Sequence, residues 1–293
     1  MNKQPKNRCK WLKYVAIFLI TIIVYLVMLY QTAPIIPVMG FHAIVEQKNP
    51  DDIYFIQTKY KQMNYKKQDF EKLVESLINK KFWFITPQEL HDYYVTKSKK
   101  IPRKYLGKKP IMLSFDDGYK NNYTNVIPVL EKMEKKYHQK VKVVLFVNPG
   151  TFGKSHGNIR TNITCQELRD GFQKGYYDLQ SHGYSHKNLT ELNDKELNFE
   201  LAESQKQLKK CVQGLDVNNQ VGNHIAYPFG ASNQKVEKYA AKYYQSGYLY
   251  NSRMMKIGWV QDYQIPRLTI NMNKSEQKLI EIAEKSKVVK QWS

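Results

Sequence analysis

The chain has 293 residues, of which 42% are hydrophobic and 13% aromatic, enough apolar material for a large core, which excludes a disordered protein. Lys and Arg outnumber Asp and Glu by 46 to 26, a formal charge of +20. The basic residues are scattered, and no zinc finger, RNP-type motif or basic-region helix accompanies them, so the charge points to an anionic cell envelope as partner and not to nucleic acid.

Residues 1–13 carry Lys3, Lys6, Arg8, Lys10 and Lys13 with no acidic residue, and Tyr14 to Tyr30 follows without a charge. As a helix that stretch reaches roughly 25 Å, near the hydrocarbon thickness of a bilayer. Trp11 and Tyr30 flank it, where amphipathic rings favour the interface, and the next basic residue is Lys48. The bias predicts a cytoplasmic tail (1–13), a single-pass membrane anchor (14–30) and an extracellular remainder. A cleaved signal peptide, releasing a secreted protein, is the alternative. Against it, the apolar run is long for an h-region and Tyr30-Gln31-Thr32-Ala33 is a poor small-x-small cleavage site. Residues 31–37 (QTAPIIP) read as a short Pro-stiffened stalk, and 38–293 as one folded domain.

Within that domain, strands are expected at 35–45, 82–86, 110–115, 141–147, 176–181, 224–229, 246–250 and 265–270. Helical periodicity marks 67–80, 87–95, 122–137, 164–174, 193–212, 232–245 and 274–286, with Asn193 and Ser275 as N-caps. Strands separated by helices predict an α/β fold, a deformed (β/α) barrel of about seven or eight parallel strands. Of the three cysteines, Cys9 precedes the apolar segment. Cys165 and Cys211 lack metal or redox spacing, and are either disulfide-bonded outside the cell or two buried thiols.

In such folds sites assemble on the loops that follow the carboxyl ends of strands. Strand 110–115 ends in Asp116-Asp117-Gly118, strand 176–181 in His182-Gly183-Tyr184-Ser185-His186, and strand 35–41 in His42. Taken alone, Asp-Asp-Gly is more often a turn and His-x3-His more often structural. Their coincidence after strands of one sheet is what points to chemistry. Two imidazoles four residues apart lie on one helical face and, with a carboxylate from another loop, make a two-His, one-carboxylate metal site with open positions. Of two adjacent aspartates only one reaches the metal easily, which leaves the other as a base toward water.

The run Leu113-Ser114-Phe115-Asp116-Asp117-Gly118 resembles the first motif of the NodB-homology polysaccharide deacetylases, carbohydrate esterase family 4, and Ser181 to His186 resembles their metal-binding His motif. Ala226-Tyr227-Pro228-Phe229-Gly230 resembles the third motif, R-x-P-Y. The resemblance implies that Asp117, His182 and His186 bind one divalent metal ion, most simply zinc, with cobalt, nickel or iron acceptable to the same donors. It also implies Asp116 as general base and the backbone near Phe229 as an oxyanion donor. Two departures stand out. Ala226 replaces the arginine of the third motif, and Ile270 replaces the acid histidine of the last, Leu-x-His, aligned on Leu268-Thr269-Ile270. Arg267 is then the candidate to supply the missing positive charge, and His42 the candidate general acid; a rim histidine hydrogen-bonded in the barrel is the bland reading of His42. The pattern with Met39-Gly40-Phe41-His42 resembles the subgroup acting on poly-β-1,6-N-acetylglucosamine of biofilms. The implied activity is metal-dependent hydrolysis of N-acetyl groups on an extracellular polysaccharide. Peptidoglycan, chitin or acetylxylan as substrate, and an inactive carbohydrate-binding relative, are the alternatives.

Overall fold

The structure, a computed structural model, describes residues 6–287; residues 1–5 of the expected tail and 288–293 of the expected domain lie outside the described residues. Helix α1 (Lys6–Thr32) contains one stretch, Trp11–Thr32, of a length and mean hydropathy (2.5) sufficient to cross a membrane, none of it buried.

Eight strands then form one sheet whose pairings are all parallel: β1 (Val38–Phe41), β2 (Phe82–Phe84), β3 (Lys109–Phe115), β4 (Val143–Val147), β5 (Tyr177–Ser181), β6 (His224–Ala226), β7 (Ser246–Tyr248) and β8 (Leu268–Thr269). The order is β7-β6-β5-β4-β3-β1-β8, with β2 paired to the start of β3. Helices α2 (Lys67–Asn79), α3 (Ile127–Tyr137), α4 (Cys165–Gln173), α5 (Asp194–Cys211), α6 (Gln234–Ala240) and α7 (Glu276–Glu284) alternate with the strands. The two edges of the sheet meet. Tyr248 bridges Ile265 in parallel, with Ile265 N–H donating to Gly247 O (2.9 Å) and Leu249 N–H to Ile265 O (2.8 Å), just before the chain enters β8. The result is the deformed (β/α) barrel that the strand–helix alternation predicts.

Strand parity builds two cores. Met39, Phe41, Leu113, Phe115, Leu145 and Val147 face the helices and pack with Leu73, Leu77, Leu130 and Leu168. The alternate set, Val38, Met112, Val144, Phe146, Ala226 and Tyr248, fills the barrel. Both faces of β4 are therefore covered, and its five residues are all buried, as a doubly covered parallel strand requires. Helix starts follow the expected chemistry: Asn193 accepts from Glu196 N–H in a capping box, and Ser275 accepts from Lys278 N–H.

Several expectations change. The single strand 35–45 is three pieces, because Pro37 interrupts the ladder: Ile35–Ile36 pairs antiparallel with Met255–Lys256, β1 joins the barrel, and Ile44–Val45 pairs with Tyr65–Lys66. Residues 31–37 are accordingly folded: Thr32 ends α1 and Ile36 is fully buried. The helix expected at 87–95 is a Pro87–Leu90 turn followed by a wide π turn at His91–Val95, and a second π turn, Asn122–Val126, precedes α3.

Cys165, at the start of α4, and Cys211, at the end of α5, are joined in a disulfide with a Cα–Cα distance of 5.6 Å and a sequence separation of 46. Closing a loop of that length removes about 4 kcal/mol of denatured-state entropy in the chain-entropy account. Replacing both cysteines by serine should therefore lower Tm by roughly 10 °C, measured by calorimetry under oxidising conditions. An unchanged Tm would show that the bond does not form in solution.

Candidate active site

Strand parity also separates the two adjacent aspartates. Ser114 points into the barrel, where its hydroxyl donates to Met39 O (3.0 Å). Two residues later Asp116 keeps that direction and meets Arg267. Arg267 Nη1 and Nη2 donate to Asp116 Oδ1 (2.6 Å) and Oδ2 (2.7 Å), Nη1 also donates to Ser114 Oγ (3.2 Å), and Nε donates to Leu249 O (3.0 Å). The guanidinium carbon lies 5.1 Å from the Phe146 ring centroid and 5.2 Å from that of Tyr250. Burial pushes the Asp116 carboxyl up, but the guanidinium prevails and holds it below the usual carboxylate value. At Asp117 a φ of +69° turns the chain, and this carboxylate points instead to the histidine loop.

That loop is not the helical turn the His-x3-His spacing suggests. Left-handed backbone at Gly183 (φ +73°) and His186 (φ +62°) makes it irregular. It is held from behind by Glu200, buried on α5. Glu200 Oε2 accepts from the N–H groups of Tyr184 (2.9 Å) and Ser185 (2.8 Å), and Oε1 accepts from the Ser185 hydroxyl. Ser204 Oγ donates to Gly183 O (3.1 Å), and the Asn148 amide donates to the carbonyls of His182 and Gly183.

His182 Nδ1 donates to the carbonyl of Ala226 (2.8 Å), so in the neutral ring Nε2 carries the lone pair. That nitrogen is 3.4 Å from Asp117 Oδ1, and His186 Nε2 is 3.1 Å from the same oxygen. One ligand atom from each of the three residues lies within 4.8 Å of the others, and among the described residues no donor meets the buried Asp117 Oδ1 in hydrogen-bond geometry. A lone pair facing a buried carboxylate oxygen is stabilised by a cation between them, and an N, N, O donor set fits a divalent ion that keeps open positions. The His186 ring packs edge-on against Phe229 (4.7 Å), which is 66% exposed in a tight turn with φ +61°.

His42 follows β1 on the same rim. Tyr250 donates its hydroxyl proton to Gly40 O (3.0 Å), leaving the phenol oxygen as partner for His42 Nδ1 (3.3 Å). Gly40 is required here, since a Cβ would sit 2.6 Å from the Tyr250 ring. Burial lowers the His42 pKa below its ordinary 6.5, against the pull of Asp117 and Asp116. Leu268 and Ile270 belong to the large hydrophobic cluster behind the sheet. His224 is a hydrogen-bonded core histidine: Nδ1 contacts Ser246 Oγ (2.7 Å), and burial, helped by His91, drives its pKa down to about 3.

Among known proteins, residues 103–246 match the polysaccharide deacetylase family. That span includes Asp116, Asp117, His182 and His186. The chain carries a polysaccharide deacetylase domain. A relative named for the same family, YxkH of Bacillus subtilis, is 29% identical over 182 residues, 62% of this chain and 57% of its own length. The chain thus spans little more than half of that relative. The poly-β-1,6-N-acetyl-D-glucosamine N-deacetylase of Staphylococcus aureus is 27% identical over 228 residues, 75% of this chain and 72% of the relative. The crystal structure of a polysaccharide deacetylase from Bacillus cereus superposes with a TM-score of 0.68 at 21% identity, covering 86% of this chain and 69% of that one, a likeness of fold.

The deacetylase domain depends on residues that sequence reasoning passed over, notably Glu200, Ser204, Asn148 and Tyr250. For the first two a signal existed. Leu197, Leu201 and Leu208 mark the buried stripe of α5, and Glu200 and Ser204 lie on the same stripe. A carboxylate there needs donors, and the histidine loop supplies them. Glu200→Gln keeps the shape but exchanges an acceptor for an N–H2 group facing N–H donors. It should weaken metal binding by roughly 10–100-fold, as for other groups that orient ligands, measured by titration of the metal-free protein. Unchanged metal affinity would mean that the loop holds its geometry without this carboxylate.

Proposed function

We propose that the domain hydrolyses N-acetyl groups of a β-1,6-linked N-acetylglucosamine polymer outside the cell, with one divalent ion, most simply zinc, held by Asp117, His182 and His186. The observation that carries this reading is the convergence of those three ligand atoms beside an aspartate held ionised by Arg267. The ion would supply the positive charge that acidifies water and polarises the acetyl carbonyl. The chain's residues do the rest. Asp116 accepts a proton from the attacking water as its oxygen bonds to the acetyl carbon. Backbone N–H near Phe229 stabilises the oxyanion, and the exposed Phe229 ring is the substrate-side candidate; Leu268, the other residue the family motif suggests, is packed behind the sheet and has no such role. His42 protonates the departing nitrogen as the C–N bond breaks, so acetate and a free amine leave. The linkage is supported by the Staphylococcus aureus relative and by the supply of arginine from position 267 and histidine from position 42. α1 is read as an uncleaved anchor, which keeps the domain at the outer membrane surface, with a cleaved leader as the alternative.

Acetate release from defined oligomers tests the reading: β-1,6-linked N-acetylglucosamine should be turned over faster than β-1,4-linked. Asp117→Ala and His182→Ala should lose metal and activity together. Asp116→Asn should keep the metal and lose on the order of 10²–10⁴-fold in kcat. Equal loss of metal in the Asp116 and Asp117 variants, or a preference for β-1,4 linkages, would overturn the corresponding assignment.

For His42 the pH profile decides. Because burial lowers its pKa, the alkaline limb of kcat/KM that reports loss of its proton should lie below 6.5, the ordinary histidine value. His42→Ala should retain metal, lower kcat and kcat/KM alike, and lack that limb. Near-normal kcat with the limb in place would remove His42 from the reaction.

A further inference from the structure

We propose that the amino-terminal end of the barrel is a membrane-facing surface that rests on anionic phospholipid head groups, with the catalytic mouth turned away from the bilayer. The inference rests on α1 being an anchor, and adds which face meets the lipid.

Because the strands are parallel, all of them start at one end of the barrel, and His42, Asp116 and His182 lie at the other. β3 alone separates the two ends by about 20 Å. α1 enters at the starting end without a free stalk. Ile257 N–H donates to Pro34 O (2.9 Å), and Ile35–Ile36 is already paired with Met255–Lys256. The exit of α1 is clamped. Lys256 Nζ donates to Tyr30 O (2.7 Å) and lies 3.5 Å over the Tyr30 ring, Trp259 meets that ring edge-on at 5.3 Å while 46% exposed, and Lys287 Nζ donates to Thr32 O (3.0 Å). A Tyr–Trp pair flanked by lysines at the end of an apolar helix suits the head-group layer.

The same end is basic. Residues 97–109, which lead into β3, hold seven Lys and Arg and no acidic residue. The segment is fixed to the anchor side of the fold, since Ile101 and Tyr105 pack in one cluster with Ile36, Ile257 and Val260. Lys100, Arg103 and Lys104 are exposed there, as are Lys81 before β2 and Lys140 and Lys142 before β4. A basic surface beside a membrane helix is drawn to anionic head groups, and screened by salt.

The test uses the full chain in nanodiscs of phosphatidylcholine, with or without phosphatidylglycerol, and amide hydrogen exchange read by mass spectrometry. Backbone amides in 97–108 and 256–260 should exchange more slowly with the anionic lipid, and the effect should vanish at high salt. A triple variant, Lys100→Glu, Arg103→Glu and Lys104→Glu, should lose it, since attraction to an anionic surface is about fivefold per basic residue. The variant should release acetate from a short soluble oligomer at the normal rate. Lipid-independent exchange in an intact chain, or protection at the catalytic rim instead, would overturn the orientation while leaving the anchor in place. A chain whose mass shows loss of the residues before Ala33 overturns the anchor reading, and this proposal with it.

Discussion

The buried pair of Arg267 and Asp116 is the constraint on which the site depends. Taking two charges out of water costs several kcal/mol each, and is tolerable only with excellent geometry and further hydrogen bonds. Both are present: two parallel N–H···O contacts, plus Ser114 and the Leu249 carbonyl for the remaining donors. The pair also does topological work. Asp116 directly follows a central strand, β3, while Arg267 adjoins the last, β8, near the point where the edges of the sheet meet. Arg267 thus ties the end of β3 to the start of β8 across β1, reaches the chain leaving β7 through the Leu249 carbonyl, and fixes the ionisation of the aspartate beside the metal-type triad.

Around that pair, neighbouring residues diverge by backbone geometry and not by chemistry. Asp116 and Asp117 have the same side chain, yet one continues the interior parity of β3 and the other is turned aside by a left-handed φ. The histidines of the 182–186 loop are aimed in the same way. Glu200, Ser204 and Asn148 hold a loop whose own sequence has no regular structure to hold it. The disulfide adds a covalent limit, because the residues between Cys165 and Cys211 include both histidines and Glu200.

Much of this was legible in the sequence. Asp-Asp-Gly and His-x3-His after two apolar strands singled out the residues that the fold brings together as the candidate site, and the alternation of strands and helices gave the barrel. Asn193, placed just before a helical run, marked the start of α5. What could not be read were relations between distant residues. That Arg267 reaches Asp116, and Tyr250 reaches His42, depends on closing a sheet over more than 150 positions of sequence. The stalk reading failed for a related reason: residues 31–37 overlap the expected strand at Ile35, and only the arrival of Met255 and Lys256 decides that Ile35 and Ile36 pair as strand. The helical reading of the histidine loop failed because spacing alone says nothing of the φ that Gly183 and His186 adopt.

Three non-glycine residues of the site, Asp117, His186 and Phe229, have φ between +61° and +69°. For side chains with a Cβ that region is sparsely populated and strained, by something on the order of 1 kcal/mol each. Glycine at any of the three would relax the backbone, and in doing so remove a carboxylate, an imidazole or an aromatic ring from the rim. In the proposed reaction, the positions that aim the chemistry are therefore ones at which stability and activity pull in opposite directions. A variant selected only for heat resistance would be expected to accumulate changes at these residues and fall silent as an enzyme.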